Sequence, residues 1–358
     1  MTAPIIEWAK ISNLVYMNRR TQYKLRQLLV IIICWMMIGA IIALYEHMVL
    51  QTNNSLGFAP HYSLARSILL NMGIGLFGAL LGGSLLVFFV NVKYNDKPYG
   101  YTILIVAGSF LGVILIVNEI LSLFSMGDIK RFQKNGIIWA LVVSVTQLLL
   151  QVNSKFGQGI FWNLIRGKYN TPKVESRIFM FLDLNSSTSI AEGLGDKKYH
   201  ELLKDLFTDI TNPIIDNKGE IYQYVGDEVV IAWRYADGIA NSKCIQCFFD
   251  IKAQLIRLKE KYAHKYNLFP SFKAGIHCGQ VVAGEVGIVK RDITYSGDVL
   301  NTASRIQGLC REFKQELIVS IDLIDELELA KNYSTQLLGS IKLRGKEKEM
   351  SLVAVKAN

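Results

Sequence analysis

Four stretches of this chain, each of about twenty residues or more, contain no charged side chain. They cover residues 27–45, 67–92, 99–118 and 135–154. A helix of about 20 residues crosses the ~30 Å hydrocarbon core of a bilayer, and 51% of all residues are hydrophobic. The first stretch is too long for the apolar core of a signal peptide, and three similar stretches follow it. The sequence therefore predicts an all-α membrane domain of four transmembrane helices over residues 27–154.

The positions of the basic residues predict the orientation of these helices. An even number of spans places both termini on one side, and basic residues mark the cytoplasmic side. Five of them precede the first span: Lys10, Arg19, Arg20, Lys24 and Arg26. A smaller basic group at residues 130–134 argues against this orientation. We expect a multi-pass protein of the cell (inner) membrane whose N-terminus, residues 1–26, and C-terminal domain are cytoplasmic.

The distribution of charge along the chain indicates which kind of partner the protein contacts. Residues 1–166 hold 13 Lys and Arg against 5 Asp and Glu, whereas residues 167–358 hold 26 against 25. A nucleic-acid-binding domain needs a clustered basic face, so we predict contact with the lipid bilayer and no nucleic-acid partner. Cys244 and Cys247 form the one CxxC pair, on an amphipathic stretch with no second ligand pair nearby, which favours buried, reduced thiols over a metal site.

The chain changes character after the last apolar stretch. Residues 155–173 are predicted to form a juxtamembrane coupling segment and residues 174–358 a soluble domain. Strands are predicted at 177–183, 220–225, 228–233, 271–277, 292–296, 316–320, 336–343 and 351–356, and helices at 188–194, 197–216, 238–265, 298–310 and 321–328. This order predicts a ferredoxin-like α+β sheet that is covered by helices on one face.

Two acidic residues stand where chemistry is expected. The strand predicted at 177–183 ends in Asp183, and hydroxyl residues then open a helix. A carboxylate beside helix N-terminal amides suits a cation and a phosphate together, although this pattern taken alone favours a simple N-cap. Asp227 lies in a Gly-Asp turn between two strands, and a central hairpin would bring it next to Asp183 as a two-metal site. A simple type I′ turn is the alternative.

These residues resemble the class III nucleotide cyclases. The resemblance covers about residues 175–356 and depends on four separated motifs: Phe181-Leu-Asp183 with Ser187-Thr188, Gly226-Asp227-Glu228, Ala274-Gly-Ile-His-Cys-Gly279, and Gly297-Asp-Val-Leu-Asn301-Thr-Ala-Ser-Arg305. It implies an α+β class III cyclase catalytic domain that works as a homodimer with two divalent cations, Mg²⁺ or Mn²⁺. In that family each site takes its metal ligands from one partner and its base-reading and transition-state residues from the other.

The resemblance also implies a role for individual residues. The implied metal ligands are Asp183, Leu184 and Asp227, the implied transition-state pair is Asn301 and Arg305, and the implied substrate-binding residues are Ser187, Thr188, Gln223, Thr294 and Lys346. Asn301 and Arg305 are four residues apart, so one helix face would present both, and arginine can neutralise charge on a phosphate. The alternative is a structural role, in which the two side chains only cap the helix or lie in solvent on its surface. Lys346, in a basic turn, would grip the terminal phosphates or remain solvated.

The sequence departs from the family at the position that selects the base. Where adenylyl cyclases usually carry lysine this chain has Gln223, and its partner position, often aspartate, is Thr294. A glutamine amide can accept from adenine N6 and donate to N1, or, reversed, accept from guanine N1 and donate to O6. The glutamate of guanylyl cyclases is absent, so the resemblance favours ATP over GTP.

We therefore expect an integral-membrane adenylate cyclase, a homodimer that forms cyclic AMP and pyrophosphate from ATP by attack of the ribose 3′-hydroxyl on the α-phosphate. The alternatives are a guanylate cyclase and a membrane receptor with a catalytically weak nucleotide-binding domain. A diguanylate cyclase would need Gly-Gly before the acidic turn, where this chain has Val225-Gly226. Asn71, Asn118 and Glu119 suggest an unknown ligand or regulator at the membrane domain.

Overall fold

A computed structural model describes residues 19–52, 63–94, 97–123, 129–156, 167–288 and 292–358. The chain divides into two compact units, whose main parts are Thr21–Trp162 and Asn163–Asn358. The predicted N-terminal segment up to residue 18, and residues 157–166 of the predicted coupling segment, lie outside the described residues. Each unit is considered by itself below.

The first unit is helical. Its helices are α1 (Arg19–Thr52), α2 (Leu64–Gly78), α3 (Tyr99–Leu123) and α4 (Ile129–Phe156). Two π-helical segments, Ala79–Gly83 and Leu85–Val90, and the short helix Asn91–Lys93 continue α2. All four predicted apolar stretches are therefore helical. Three apolar helices, Thr21–Val49, Leu64–Val90 and Gly136–Asn153, are long enough to cross a membrane, whereas α3 contributes the shorter apolar stretch Gly100–Gly112.

Trp35 of α1 lies at the centre of the packing in this unit. Its indole Nε1 donates to Thr146 Oγ1 of α4 at 3.0 Å, and its ring lies 5.8 Å from that of Trp139. On the other side α2 approaches so closely that a Cβ atom at Gly75 would overlap the backbone of Trp35. Small residues in α2 therefore let two helices pack within one bundle. Asn71 of α2 is buried, and its Nδ2 donates to the carbonyl of Ser67 at 3.0 Å.

The second unit is an α+β domain. Its strands are β1 (Lys173–Leu184), β2 (Glu220–Val225), β3 (Glu228–Arg234), β4 (Phe272–Val286), β5 (Asp292–Ser296), β6 (Leu317–Ser320), β7 (Tyr333–Ile341) and β8 (Met350–Ala357). Its helices are α5 (Ser187–Leu194), α6 (Asp196–Asp216), α7 (Tyr235–Ile239), α8 (Lys243–Arg257), α9 (Lys259–Tyr266), α10 (Asp298–Glu312) and α11 (Ile321–Ile324).

The sheet has the ferredoxin-like order that the sequence predicts. Its strands follow the order β2-β3-β1-β4-β6-β8-β7, and β5 pairs with β4. The first four are joined by antiparallel pairs, whereas β4 and β6 are parallel, so the whole sheet is mixed. The hairpin β2-β3 lies beside β1, which brings the end of β1 next to the β2-β3 turn.

Helices cover both faces of the sheet, and the prediction of one covered face is wrong. Side chains of β1 alternate between the faces. Ile178 and Met180 pack in the large core with α6 and α8, whereas Phe179 packs in a second core with Val299 and Ala303 of α10. The amphipathic period of α10 predicts the helix but does not indicate which face of the sheet it covers.

Several element boundaries differ from the prediction, among them the start of β1, which lies four residues before the predicted one. The helix predicted at 238–265 is divided into α7, α8 and α9, because the chain leaves helical geometry at Asn241 (φ +55°) and bends at Leu258. Strand β4 continues nine residues past the predicted end at 277, where Gly279 and Gly284 and polar residues weaken the strand pattern. The helix predicted at 321–328 ends at Ile324.

Candidate active site

Asp183 lies at the end of β1, between two charged residues of the neighbouring strands. Its direct partners in the sheet are Glu228 on β3 and Lys273 on β4. Side chains of directly paired residues leave the sheet on the same face. Three ionisable groups therefore meet at one edge of the domain, beside the turn that carries Asp227.

The turn is built by Gly226 and Asp227, which join β2 to β3. Gly226 has a φ of +62°, whereas Asp227 does not have a positive φ. A type I′ turn needs positive φ at both central residues, and type II′ needs it at the first alone. The turn is therefore of the II′ kind, and the type I′ alternative is wrong.

The carboxylate of Asp183 is half-buried, and one of its two oxygens makes both of the polar contacts described here. Its Oδ2 accepts a hydrogen bond from Gln307 Nε2 at 2.8 Å and lies 3.0 Å from Lys273 Nζ. Burial raises the pKa of Asp183, Lys273 opposes this, and the negative charge of Asp227 adds to it. The structure thus brings the two predicted metal-binding aspartates together.

Two further groups share this site. Burial, together with the negative charges of Asp183 and Asp227, raises the pKa of Glu228 to about 7. Burial also raises the pKa of Tyr199, and the nearby Asp227 raises it further, while a hydrogen bond with Ser187 lowers it. The site therefore concentrates negative charge that Lys273 balances only in part.

The donor set suits a hard divalent cation, because carboxylate oxygens are the ligands that Mg²⁺ and Mn²⁺ prefer. Within the described ranges no group of three or more His, Cys, Asp or Glu side chains is arranged to hold a metal. The aspartate pair therefore needs additional oxygen ligands. The side chain of Leu184 is buried in the core, so its contribution is limited to the main-chain carbonyl.

A second group of predicted residues lies around α10. Asn301 is exposed and Arg305, one turn later, is half-buried. The basic turn packs against Arg305: a Cβ atom at Gly345, where φ is +72°, would lie 3.4 Å from an Nη atom of Arg305. Lys346 forms an ion pair with Asp298 at the start of α10. Lys346 and Arg305 therefore lie in the same region.

The two groups face different sides of α10. Gln307, which contacts Asp183, belongs to the buried side of this helix. Arg305 lies two residues earlier, about 200° away around the helix axis, and Asn301 shares its side. Within one chain, the predicted transition-state pair, Asn301 and Arg305, thus faces away from the aspartate pair.

The predicted base-reading residues lie on two separate strands. Gln223 is exposed on β2, directly paired with Val230, and a bulge at Tyr222 precedes it. Thr294 is half-buried on β5, paired with Gly284. The contact between these strands is made by the adjacent residues, since the rings of Tyr222 and Tyr295 lie 5.0 Å apart.

The hydroxyl residues after β1 open α5. Ser187 is half-buried and bonded to Tyr199, whereas Thr188 is exposed. Ser186, which precedes them, adopts a left-handed conformation (φ +56°) and makes no capping hydrogen bond through its side chain. The N-cap interpretation of this cluster therefore does not hold for Ser186.

The sequence does not predict four further residues of this site: Tyr199, Glu228, Lys273 and Gln307. Glu228 belongs to the motif Gly226-Asp227-Glu228, but the motif assigns it no contact. Lys273 and Gln307 reach Asp183 through strand pairing and helix packing across distant parts of the chain. No local pattern in the sequence marks such partners.

Comparison with known proteins identifies the family of this domain. The family model described as the adenylate and guanylate cyclase catalytic domain matches residues 170–356. The chain is 34% identical over 280 residues to adenylate cyclase 2 of Rhizobium meliloti (strain 1021), which covers 78% of this chain and 74% of that protein. It is 28% identical over 192 residues to an adenylate cyclase of Anabaena cylindrica, which covers 50% of this chain and 36% of that protein.

A solved structure shows a similar fold. A bacterial light-regulated adenylyl cyclase superimposes with a TM-score of 0.54 at 20% identity, over 65% of this chain and 67% of that chain. At this level of identity the likeness concerns the fold alone. The family match and the relative from Rhizobium meliloti carry the assignment, and the chain belongs to the class III adenylyl and guanylyl cyclases.

Proposed function

We propose that this protein is an integral-membrane adenylate cyclase, which forms cyclic AMP and pyrophosphate from ATP. The observation that carries the proposal is the close approach of Asp183 and Asp227 at the end of β1, where the negative charge of Asp227 adds to the effect of burial and raises the pKa of Asp183. A pair of acids that repel one another in a half-buried site is stabilised by divalent cations. The relative from Rhizobium meliloti, an adenylate cyclase, supports the choice of reaction.

Asp183, Asp227 and the Leu184 carbonyl would hold two cations, Mg²⁺ or Mn²⁺. When bound, such ions lower the pKa of an attacking hydroxyl and neutralise phosphate charge. The chain's own residues orient the substrate. Gln307 holds the Asp183 carboxylate in place, and the Ser187 hydroxyl stands at the start of α5 beside this pair.

Residues of α10 stabilise the negative charge that develops on the α-phosphate. Arg305 supplies a guanidinium that neutralises this charge, and Asn301 on the same side donates a hydrogen bond. Lys346 holds the terminal phosphates after it exchanges its partner Asp298 for the substrate. Arg305 lies beside Gly345, the residue before Lys346, and both cations lower the pKa of Asp298. A triphosphate that runs past both of them needs two cations in one region.

The protein acts as a homodimer in this proposal. Asn301 and Arg305 face away from the aspartate pair of their own chain, because Gln307 turns the other side of α10 toward Asp183. A second copy that offers its α10 face completes each site. This geometry supports shared sites rather than one site within each chain.

ATP is the proposed substrate and GTP the alternative. The Gln223 amide supplies one acceptor and two donors, which fit either purine edge in opposite orientations. The Thr294 hydroxyl can donate or accept as well. Because neither residue offers a single fixed polarity, we expect a moderate preference for ATP.

The helical unit is proposed to be a membrane domain, residues 27–154, with four spans. Three helices are long and apolar enough to cross a bilayer by length and composition, and α3 supplies the fourth. The basic residues before the first span favour a cytoplasmic N-terminus (residues 1–26), a cytoplasmic coupling segment (residues 155–173) and a cytoplasmic catalytic domain (residues 174–358). The location is the cell (inner) membrane, and a regulator would act on this unit.

The decisive experiment uses the purified full chain in detergent with Mn²⁺ and either ATP or GTP. Mass spectrometry of the cyclic product should show cyclic AMP in excess over cyclic GTP. Asp183→Asn serves as the control for a contaminating cyclase. Formation of cyclic GTP alone would make this a guanylate cyclase, and no cyclic product from either nucleotide would support a receptor with a nucleotide-binding domain.

A further inference from the structure

The strands that carry Gln223 and Thr294 are not neighbours in the sheet. β2 is an edge strand that pairs with β3, whereas β5 pairs with β4, and β1 lies between these pairs. No backbone ladder therefore joins β2 directly to β5, and the path between them through the sheet crosses β3, β1 and β4. Contacts between side chains across the face of the sheet join the two strands more directly.

An aromatic contact joins the residues that adjoin this pair. Tyr222 precedes Gln223, Tyr295 follows Thr294, and the main-chain N–H of Tyr295 donates to the Tyr222 hydroxyl at 3.3 Å. Both rings pack on Phe179 of β1, with centroids at 6.3 Å and 5.4 Å. The bulge at Tyr222 places its ring on the same face as that of Tyr295. One hydrogen bond and a three-ring cluster thus connect β2 to β5.

A buried arginine, Arg177, packs against this aromatic cluster. The side chain of Arg177 is 2% exposed, and its guanidinium carbon lies 5.1 Å from the centre of the Tyr295 ring. Its nitrogens lie 2.6 Å from Glu175 on β1 and 3.3 Å from Glu220 at the start of β2. A planar guanidinium with fixed partners cannot rotate freely. Arg177 therefore links β1, β2 and β5 through one rigid group.

We propose that Arg177 and Tyr222 are positioning residues that hold Gln223 and Thr294 at the spacing needed to distinguish adenine from guanine. The inference rests on the proposed function, from which it takes the base-reading pair. Arg177 and Tyr222 act through their neighbours on the strands and not by touching the nucleotide.

The chemistry of glutamine explains why such support matters. A glutamine amide can present either polarity to a purine, so discrimination depends on how firmly the surrounding structure holds its position. When the side-chain contacts between β2 and β5 are lost, the amide is held less firmly and can adapt to both bases. Asn301 and Arg305, which act on the α-phosphate in the proposed function, are on α10. Loss of the support that Arg177 and Tyr222 provide should therefore affect KM more than kcat.

The test compares two tyrosine-to-phenylalanine variants on the same strand. Tyr222→Phe removes the acceptor that joins β2 to β5 and keeps the ring. Tyr224→Phe is the matched control: its hydroxyl bonds to Thr211, and its ring stacks on Phe207 of α6 at 4.7 Å, on the opposite face. Arg177→Met is a second variant. Lys168 remains 3.3 Å from Glu175 and Glu220 is 54% exposed, so neither carboxylate is left buried and unpaired.

We measure kcat and KM for ATP and GTP with the full chain in detergent, and its melting temperature. Loss of one hydrogen bond, worth about fivefold in an equilibrium, should lower the ratio of kcat/KM for ATP to that for GTP by about that factor in Tyr222→Phe. The change should lie mainly in KM. Arg177→Met should lower the ratio at least as much, and Tyr224→Phe should leave it unchanged.

Three outcomes overturn the inference. A Tyr222→Phe enzyme with the wild-type ratio and KM values removes the positioning role and leaves the proposed function intact. A Tyr222→Phe enzyme that loses kcat equally for both nucleotides, with KM unchanged, shows a merely structural role. A wild-type protein that makes no cyclic product from either nucleotide overturns the proposed function, and this inference with it.

Discussion

The Nζ atom of Lys273 lies 3.0 Å from Oδ2 of Asp183, and the two residues are direct partners across β4 and β1. The ammonium occupies the side of the carboxylate where a cation would otherwise be attracted. A positive charge at this position opposes a metal ion by Coulomb repulsion. Lys273 therefore stabilises the free site and competes with the proposed metals.

Lys273→Met should bind Mn²⁺ more tightly in the absence of nucleotide. Half-buried ion pairs of this kind contribute about 1 kcal/mol, which corresponds to about a fivefold lower dissociation constant. The measurement is the free Mn²⁺ signal in electron paramagnetic resonance at pH 8, with the full chain in detergent. Lys252→Met, which removes an exposed ion pair with Glu316, is the control. Equal or weaker binding by Lys273→Met would contradict a competing role.

Asp183→Asn and Asp227→Asn should each abolish cyclisation without unfolding the protein. Each substitution keeps the shape of the side chain and removes one charged oxygen ligand from the metal pair. Loss of this stabilisation should lower kcat at least ~10²-fold. The exposed Asp196 at the start of α6 provides the matched variant Asp196→Asn, which should keep its activity. More than about a tenth of wild-type activity in either site variant would contradict the assignment of Asp183 and Asp227 as metal ligands.

A mixture of Asp183→Asn and Arg305→Ala chains should recover activity that neither has alone. If each site takes its aspartates from one chain and its arginine from the other, the mixed dimer contains one complete site. Two different affinity tags isolate the mixed dimer, and its rate of cyclic AMP formation is compared with that of each parent. An inactive mixed dimer would show that each site is built within a single chain.

The sequence predicts the ferredoxin-like strand order and the approach of Asp183 to Asp227, because both follow from local patterns: a strand that ends in an acid, and a tight Gly-Asp turn. It does not predict the contacts of Lys273 and Gln307 with Asp183. Those contacts depend on the register of β4 against β1 and on which side of α10 faces the sheet. Register and helix rotation are set by packing between distant segments, and no motif in one segment reports them.

His277 should make the folded protein less stable in mild acid. Its Nδ1 lies 2.8 Å from Ser320 Oγ in a buried position, and burial lowers the pKa of His277 even though Asp322 and Asp298 oppose this. The unfolded chain therefore takes up a proton at a higher pH than the folded chain does. Stability is complete above the unfolded pKa of about 6.5 and declines as the pH falls below it.

His277→Gln tests this, since its amide retains a hydrogen-bonding group for Ser320 and does not titrate. We compare melting temperatures of the two proteins in detergent between pH 7.5 and pH 5.5, followed by tryptophan fluorescence. The variant should show the smaller decrease. The exposed His200 on α6 offers the control variant His200→Gln, whose decrease should match that of the wild type. An equal decrease in His277→Gln would show that other groups govern stability in this range.

Gln223→Glu should move the substrate preference toward GTP. A glutamate carboxylate only accepts hydrogen bonds, so it favours the N1 and N2 donors of guanine and opposes the N1 acceptor of adenine. Thr294 adapts to either base, because its hydroxyl can rotate. The measurement is kcat/KM for ATP and GTP, and the ratio should shift toward GTP by tenfold or more, since a charged hydrogen bond contributes about 1.5–3 kcal/mol. Gln336→Glu, an exposed substitution on β7, controls for the added charge. An unchanged ratio in Gln223→Glu would mean that this side chain does not contact the base.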